Sequence, residues 1–215
     1  MIKVGIIGST GYAGQELVRL LLQHKEAEIV WYGSRSYVDE KFSAVFGNMF
    51  QIVENVCKGD DLHELSKQAD VIFTATPQGY LASVLDEEIL SNCKVIDLSA
   101  DFRLNCPDVY EEYYGNAHPD TALMKEAVYG LPEWRAAEIA RARIVASPGC
   151  YPTSILLPLI PLFKAGILEP EDVVVCSGSG VSGAGRKASI PLLFCECNES
   201  FHACLLYTSD AADEL

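Results

Sequence analysis

The sequence predicts an α/β fold, in which a doubly wound parallel sheet is followed by the beginning of a smaller α+β domain. Val- and Ile-rich runs of strand length alternate with helix-like segments through the first 147 residues. Such a βαβα order with nearly continuous apolar strands is typical of a parallel sheet covered by helices. The alternation then stops and Gly/Ser-rich sequence follows, which indicates a second domain.

Five strands and three helices are predicted in the first domain. The strands are the apolar runs 2–7, 28–33, 70–76, 94–99 and 143–147. The helices are the amphipathic or alanine-rich segments 15–24, 79–90 and 132–142. The Tyr-rich stretch 108–120 is polar and is assigned to neither a strand nor a helix.

The second domain is predicted to be incomplete. Residues 154–166 are helix-like but contain Pro158 and Pro161, so we expect a kinked helix. A strand at 172–178, a Gly/Ser loop at 177–186 and the start of another helix at 186–196 follow. One strand and two helices leave apolar faces uncovered, because a lone strand has no pairing partner. The predicted domains are 1–147 and 148–204, with 205–215 as a non-native tail.

Composition and charge exclude several function classes. Of the 215 residues, 49% are hydrophobic and 21% charged, which suits a globular protein with a sizeable core. The net charge of −14 and the lack of clustered Lys and Arg argue against nucleic-acid binding. No apolar run reaches the roughly 20 residues that a membrane span needs. The N-terminus shows no secretory signal, so a cytoplasmic location is expected.

Eight cysteines raise the alternative of a metal site. The dense cluster CECNESFHAC supplies Cys195, Cys197, His202 and Cys204 as four ligand types that zinc accepts. Its C-x-C spacing is a poor match to the usual zinc pattern. We therefore interpret the cysteines as ordinary reduced thiols and expect no metal.

A glycine-rich turn between the first strand and helix predicts a Rossmann-like dinucleotide site. Its spacing is G-x-x-G-x-x-G, and glycines in this position let the backbone approach a pyrophosphate at a helix N-terminus. A plain tight βα loop is the alternative. The candidate cofactor residues of this turn are Gly8, Ser9, Thr10, Gly11, Tyr12, Ala13 and Gly14.

The end of the second strand favours NADP(H) over NAD(H). An NAD site usually has an acidic residue about 20 positions after the glycines. Counting from Gly14 leads to Ser34, Arg35 and Ser36, with no acid. An arginine flanked by hydroxyl groups suits a 2′-phosphate, whereas a solvated surface arginine is the alternative.

Cys150 is the candidate nucleophile. It follows the strand 143–147, at the sheet edge where open α/β folds bind ligands. It also comes at a predicted helix start, with Pro152 in the first turn. A helix N-terminus favours a thiolate, which is the reactive form of cysteine. Position alone leaves a buried structural cysteine equally open.

Five motifs, read together, resemble the N-acetyl-gamma-glutamyl-phosphate reductases of arginine biosynthesis. The similarity extends from Met1 to about Ala203, and the aspartate-semialdehyde dehydrogenases are wider relatives. The motifs occur in the order GSTGYAGQEL, VIDLSADFRL, VYGLPE, SPGCYPT and SGVSGAGRKA.

The resemblance implies NADPH-dependent reduction of an acyl phosphate to an aldehyde, with release of phosphate. Cys150 matches the family nucleophile, which forms a thioester. The arginines Arg103 and Arg186 are candidates for binding the substrate's carboxylate or phosphate, with structural ion pairs as the alternative. Further candidate cofactor contacts are Thr76, Pro77, Ser182 and Gly183.

The sequence departs from the family pattern after Cys204. The HRH-type segment that carries a general acid/base histidine does not follow; LLYTSDAADEL does. Because acid/base catalysis is worth typically 10²–10⁴-fold, we expect the chain as written to be nearly inactive. The longer parent is expected to be a homo-oligomer. Two rival functions stay open: reduction of an aspartyl or aminoadipyl phosphate, and a non-catalytic NADP-binding module.

Overall fold

A parallel sheet organises the first part of the chain in the computed structural model, which describes residues 1–169, 171 and 173–201. Six strands are found in these residues, with the spatial order β2-β1-β3-β4-β6-β5 and parallel pairing throughout. The predicted α/β fold is confirmed, and only the two-residue β5 was not predicted. The strands are β1 (Ile2–Ile7), β2 (Ala27–Gly33), β3 (Val71–Thr74), β4 (Lys94–Asp97), β5 (Val128–Tyr129) and β6 (Ile144–Ala146).

The first part, all of which the structure describes, contains eight α-helices. They are α1 (Tyr12–Leu21), α2 (Phe42–Val45), α3 (Leu62–Ser66), α4 (Tyr80–Val84), α5 (Glu87–Asn92), α6 (Pro107–Tyr114), α7 (Thr121–Glu126) and α8 (Pro132–Ile139). A further 3-10 turn spans Gly47–Met49. Of the helices, α2, α3, α6 and α7 were not predicted. The helix predicted at 15–24 has the predicted length but begins three residues earlier, and the one predicted at 132–142 is three residues shorter.

Neighbouring residues of β1 enter two separate cores, which shows that both faces of the sheet are covered. Ile6 packs with Val18 of α1 and Phe42 of α2. Ile7, the next residue, packs with Leu65 of α3 and Leu81 of α4 on the opposite face. Successive side chains of a strand point to opposite faces, so one apolar run supplies both cores.

The strand order places a topological switch point between β1 and β3. From β1 the chain moves to β2 on one side, and then returns to β3 on the other. Ile7 pairs with Gly33 of β2 and with Thr74 of β3, so the three strands end at the same level. Open α/β sheets bind ligands in the crevice at such a point.

One helix prediction for this part is wrong, and one stretch left without an assignment is helical. The expected helix 79–90 is two helices, because Leu85 is extended and the Asp86 carboxylate accepts a hydrogen bond from the Ile89 amide at 3.0 Å, which starts α5 anew. The polar stretch 108–120 contains most of α6. Gly115, with φ +73°, ends that helix in the left-handed conformation.

The chain divides into two compact units, Met1–Ser147 and the residues from Pro148 onward. In the second unit, α9 (Cys150–Lys164) runs through both prolines as one helix. It begins at Cys150, as predicted, four positions before the helix-like stretch 154–166. The 3-10 turns Val181–Ala184 and Ile190–Leu192 and helix α10 (Phe194–Cys197) follow, so the predicted helix 186–196 is mostly absent.

The strand predicted at 172–178 is also wrong for the residues that the structure describes, 173–178. Val174 is 93% exposed, and Val173 and Val175 are exposed as well. A strand needs a neighbour for its backbone groups, and no strand occurs among the described residues of this unit. The segment 205–215 lies outside the described residues.

Candidate active site

The glycine turn is shaped by two close backbone contacts. Gly8 has φ +77°, and a Cβ built on it would lie 2.1 Å from the carbonyl oxygen of Ala75, just after β3. A Cβ on Gly14 would lie 2.2 Å from the carbonyl oxygen of Gly8. Gly11, the N-cap of α1, has ordinary space, with its nearest contact at 3.5 Å. Gly8 and Gly14 are therefore required as glycines, and they bring the start of α1 against the ends of β1 and β3.

Hydroxyl groups join this turn to the end of β2. The amide and the hydroxyl of Ser9 both donate to the Gly33 carbonyl, at 2.9 and 3.0 Å. The hydroxyls of Thr10 and Ser34 are 2.8 Å apart and share a hydrogen bond. Ser9 and Ser34 are buried, so their side chains hold the turn in place rather than reach solvent. The exposed Tyr12 and Ala13 then open α1.

Arg35 contacts an acid that sequence reasoning missed. Its Nε donates to the carboxylate of Asp60, and its guanidinium carbon lies 4.4 Å from the ring centre of Tyr80. The ion pair raises the pKa of Arg35 further. Asp60 comes 25 positions after Arg35 and not at the end of β2, so counting from the glycines could not find it. Ser36 follows as an exposed residue.

Thr76 lies just after β3 and directly follows Ala75, whose carbonyl oxygen faces Gly8 of the glycine turn. Its Oγ1 is buried and has no hydrogen-bond partner among the described residues. A buried hydroxyl without a partner is costly unless a ligand or water satisfies it. Pro77 is exposed at the same end of the strand. Thr76 therefore carries a buried hydroxyl that no described residue satisfies.

A buried carboxylate joins the ends of β3 and β4. Asp97 accepts hydrogen bonds from the hydroxyl of Thr74 at 2.7 Å, and from the amide and hydroxyl of Ser99 at 3.0 and 2.6 Å. Burial raises the pKa of Asp97, and these three donors partly oppose that effect. The network fixes the start of the loop that follows β4.

That loop carries a second buried carboxylate, which holds the start of α4. Asp101 accepts from the amide of Gly79 at 2.6 Å and from that of Ala82 at 3.0 Å. Its own amide donates to the Ser99 hydroxyl at 3.1 Å. Asp101 thus supplies from a distant segment the cap that α4 lacks locally, because its N-cap residue is a glycine with φ +85°.

Arg103 is anchored by main-chain groups of the first unit. Its Nε donates to the Ser147 carbonyl at 2.9 Å, and one terminal nitrogen donates to the Leu98 carbonyl at 3.0 Å. Ser147 comes directly after β6 and Leu98 directly after β4, so the arginine bridges two strand ends. Its half-buried guanidinium is therefore held at the ligand-binding edge of the sheet.

Cys150 is the first residue of the fifteen-residue helix α9, and it is exposed to solvent. Gly149 forms the N-cap without a side-chain hydrogen bond, and its carbonyl accepts from the Thr153 hydroxyl at 2.8 Å. The predicted helix start at this cysteine is confirmed. Cys150 therefore stands at the N-terminus of α9 and is open to solvent.

The remaining candidates of the second unit lie in its Gly/Ser segment. Ser182 and Gly183 form part of the 3-10 turn Val181–Ala184, and both are exposed. A Cβ on Gly183 would lie 2.5 Å from the hydroxyl of Ser179. Arg186 is exposed and follows Gly185, which has φ +79°. Of the cluster considered for zinc, His202 and Cys204 lie outside the described residues.

The sequence matches two descriptions of one family. "Semialdehyde dehydrogenase, NAD binding domain" matches residues 3–142, and "Semialdehyde dehydrogenase, dimerisation domain" matches residues 150–208.

In the described part of the chain, no helix is both long and apolar enough to cross a membrane.

Curated relatives include proteins named "N-acetyl-gamma-glutamyl-phosphate reductase". The one from Akkermansia muciniphila is 63% identical over 205 residues, and the one from Lachnoclostridium phytofermentans is 60% identical over 203. Each match covers 94% of this chain and 59% of the relative, so the chain spans well under two thirds of their length.

Solved structures with the same fold are more distant in sequence. Aspartate semialdehyde dehydrogenase from Francisella tularensis aligns with a TM-score of 0.54 at 18% identity, over 77% of this chain and 42% of that one. The enzyme from Candida albicans, solved with NADP, aligns with a TM-score of 0.50 at 16% identity, over 78% and 48%. The likeness at this identity concerns the fold alone. The family match over residues 3–142 is decisive, and this chain belongs to the semialdehyde dehydrogenase family.

Proposed function

We propose that this chain carries the dinucleotide site and the nucleophile of an NADPH-dependent reductase that converts N-acetylglutamyl 5-phosphate to N-acetylglutamate 5-semialdehyde in arginine biosynthesis. The observation that carries the proposal is the exposed thiol of Cys150 at the start of α9, in a chain at least 60% identical to two proteins named for that reaction. The reaction is proposed for the whole protein, because this chain matches 59% of the length of those relatives.

The residues of the first unit fit a dinucleotide. The close contacts at Gly8 and Gly14 pack the start of α1 against the ends of β1 and β3, and the N-terminus of a helix in this position suits a pyrophosphate. Thr76 contributes a buried hydroxyl that has no partner among the described residues. Arg35, at the end of β2, is the cation for a 2′-phosphate, which makes NADP(H) the proposed cofactor. When bound, the dinucleotide supplies a hydride.

The proposed role of Cys150 is covalent catalysis. Its thiolate attacks the carbonyl carbon of the acyl phosphate, a carbon–sulfur bond forms, and the carbon–oxygen bond to phosphate breaks. Phosphate leaves with the bonding electron pair, and the acyl group stays on sulfur as a thioester. Reduction of that thioester by two electrons and one proton, the equivalent of a hydride, adds hydrogen to the carbonyl carbon and breaks the carbon–sulfur bond. The aldehyde leaves and the thiolate of Cys150 is restored. The difficult displacement is thereby divided into two easier steps.

The proposed substrate contacts are Arg103 and Arg186, because an arginine can bind a carboxylate or a phosphate with two parallel hydrogen bonds. Arg103 is the better supported, since two main-chain carbonyls hold it at the ends of β4 and β6. Ser182 and Gly183 are proposed as further cofactor contacts. The proposed whole protein is a homo-oligomer, consistent with the family description of residues 150–208. The proposed location is the cytoplasm, where thiols stay reduced.

Phosphate release by the purified chain tests this function. With N-acetylglutamyl 5-phosphate and without NADPH, we expect a burst of at most one phosphate per chain, together with an acyl adduct on Cys150 detected by peptide mass spectrometry. Cys150→Ser should abolish both signals. Cys106→Ser is the matched control, because Cys106 is also exposed and also stands at a helix start, that of α6.

Three outcomes would contradict the proposal. A burst that survives in Cys150→Ser, or an adduct that forms equally on Cys106, would remove Cys150 as the nucleophile. A burst with aspartyl phosphate but none with the acetylglutamyl compound would move the substrate to the rival class. The absence of any adduct would favour the non-catalytic module.

A further inference from the structure

The guanidinium of Arg35 already has an anionic partner within the protein. Arg35 Nε donates to the carboxylate of Asp60, and the face of the guanidinium lies over Tyr80 at 4.4 Å from the ring centre. The Arg35 side chain is 63% exposed, whereas that of Asp60 is only 24% exposed. The carboxylate thus occupies the position from which a cofactor phosphate would otherwise approach this edge of the arginine.

The backbone around Asp60 is fixed on both sides. The Asp60 carbonyl accepts from the hydroxyl of Tyr80 at 2.9 Å, and the carbonyl of Gly59 accepts from Trp31 Nε1 at 3.0 Å. The next residue, Asp61, caps α3 by accepting from the Glu64 amide at 3.1 Å. The carboxylate can therefore rotate about its own side-chain bonds, but the chain cannot carry it away from Arg35.

Arg35 and Asp60 favour opposite groups at the 2′ position of the adenosine ribose, and the structure places them in contact. An arginine at the end of the second strand suits a 2′-phosphate, and an acid near the same strand end accepts a hydrogen bond from a 2′-hydroxyl. A carboxylate close to a phosphate dianion also repels it. The end of β2 lacks the acid, but the segment before α3 supplies one in its place.

We propose that Asp60 is a specificity-determining residue of the dinucleotide site. Its carboxylate competes with a 2′-phosphate for Arg35, and this competition reduces the preference for NADPH over NADH. The inference rests on the proposed function, because it takes the adenosine end of the cofactor to lie at Arg35. A 2′-phosphate must displace or share the Asp60 carboxylate, whereas a 2′-hydroxyl can use it as an acceptor.

Two nucleotides that differ only at the 2′ position test the proposal by calorimetry on the purified chain. Adenosine 2′,5′-bisphosphate carries the 2′-phosphate, and adenosine 5′-monophosphate does not. In Asp60→Asn we expect the affinity for the bisphosphate to rise roughly five- to tenfold, as expected for removing one negative charge near a dianion. The affinity for the monophosphate should stay equal or fall, so the ratio of the two affinities rises.

Asp61→Asn is the matched control. It removes the same charge one residue away, and asparagine is also a good N-cap, so α3 keeps its hydrogen bond. The ratio of affinities should change much less in this variant. Equal thermal midpoints of the two variants exclude unfolding as the cause of any difference.

The outcomes separate this inference from the function on which it rests. If the unchanged chain binds neither nucleotide, the proposed dinucleotide site and the inference both fail. If the unchanged chain binds the bisphosphate but Asp60→Asn leaves the ratio as it was or lowers it, only the inference fails. It also fails if Asp61→Asn raises the ratio as much, because the effect would then come from net charge and not from the contact with Arg35.

Discussion

The contacts of the glycine turn predict that Gly14→Ala damages the fold and the dinucleotide site together. The added Cβ would lie 2.2 Å from the Gly8 carbonyl oxygen and 2.7 Å from Cα of Ser9, and both atoms belong to the backbone. Real Cβ contacts are not closer than about 3.0 Å, so α1 and the turn must separate by most of an ångström. Overpacking of this kind costs typically about 1–3 kcal/mol.

Gly11→Ala in the same turn is the matched control. The added Cβ meets only the Gly8 carbonyl oxygen, at 3.5 Å, and Gly11 has φ −80°, which alanine adopts easily. Its cost as an N-cap change is about 0.5 kcal/mol and is partly offset by the reduced freedom of the unfolded chain.

Thermal unfolding followed by circular dichroism, with calorimetric binding of adenosine 2′,5′-bisphosphate, measures both effects. For a unit of this size 1 kcal/mol corresponds to about 2–4 °C, so Gly14→Ala should lower the midpoint by several degrees and weaken binding clearly. Gly11→Ala should stay within about 2 °C of the unchanged chain. Equal midpoints and equal affinities for the two variants would refute the reasoning from backbone contacts.

Two further predictions concern buried groups of the first unit. His118 is buried, and burial lowers its pKa below 6.5. As the pH falls, the His118 imidazole therefore becomes protonated in the unfolded chain before it does so in the folded one. The free energy of unfolding should then fall as the pH drops below about 6.5, by at most about 1.4 kcal/mol per pH unit. Urea titrations at pH 7.5 and 5.5 should show that the free energy of unfolding falls less in His118→Gln than in the unchanged chain. An equal fall in both would contradict the assignment of this pH dependence to His118. Asp101→Ala leaves the amide of Gly79 and the buried amide of Ala82 without their acceptor, and should lower the free energy of unfolding by about 2–4 kcal/mol. Asp101→Asn should retain part of that stability, so an Ala variant as stable as the Asn variant would argue against the cap.

Local pattern was a good guide to the strands. The first strand was predicted with its observed bounds, because an apolar run with a glycine turn after it has no competing interpretation. Helices were predicted less well. The break at Asp86 depends on one carboxylate–amide bond, and the strand predicted at 172–178 had the right composition but no described neighbour to pair with. Propensity describes what a segment tolerates, whereas pairing needs a partner.

For the candidate site too, the sequence indicated some residues, and only the structure revealed another. The sequence order identified the turn from Gly8 to Gly14, and it identified Cys150 at a helix start, which the structure confirms. It also indicated Arg35 as a cation at the end of β2. It could not indicate the acid beside that cation, because no rule of spacing relates positions 35 and 60.

By itself, the sequence determined the βαβ order, the glycine turn after the first strand and the helix that begins at Cys150, the candidate nucleophile. These features depend on period, on turn chemistry and on neighbours within a few residues. Only the tertiary structure decided the strand order with its switch point between β1 and β3, the capping of α4 by Asp101, and the pairing of Arg35 with Asp60. Each of these joins segments about 20 or more residues apart, and such contacts follow from how the two faces of the sheet are packed.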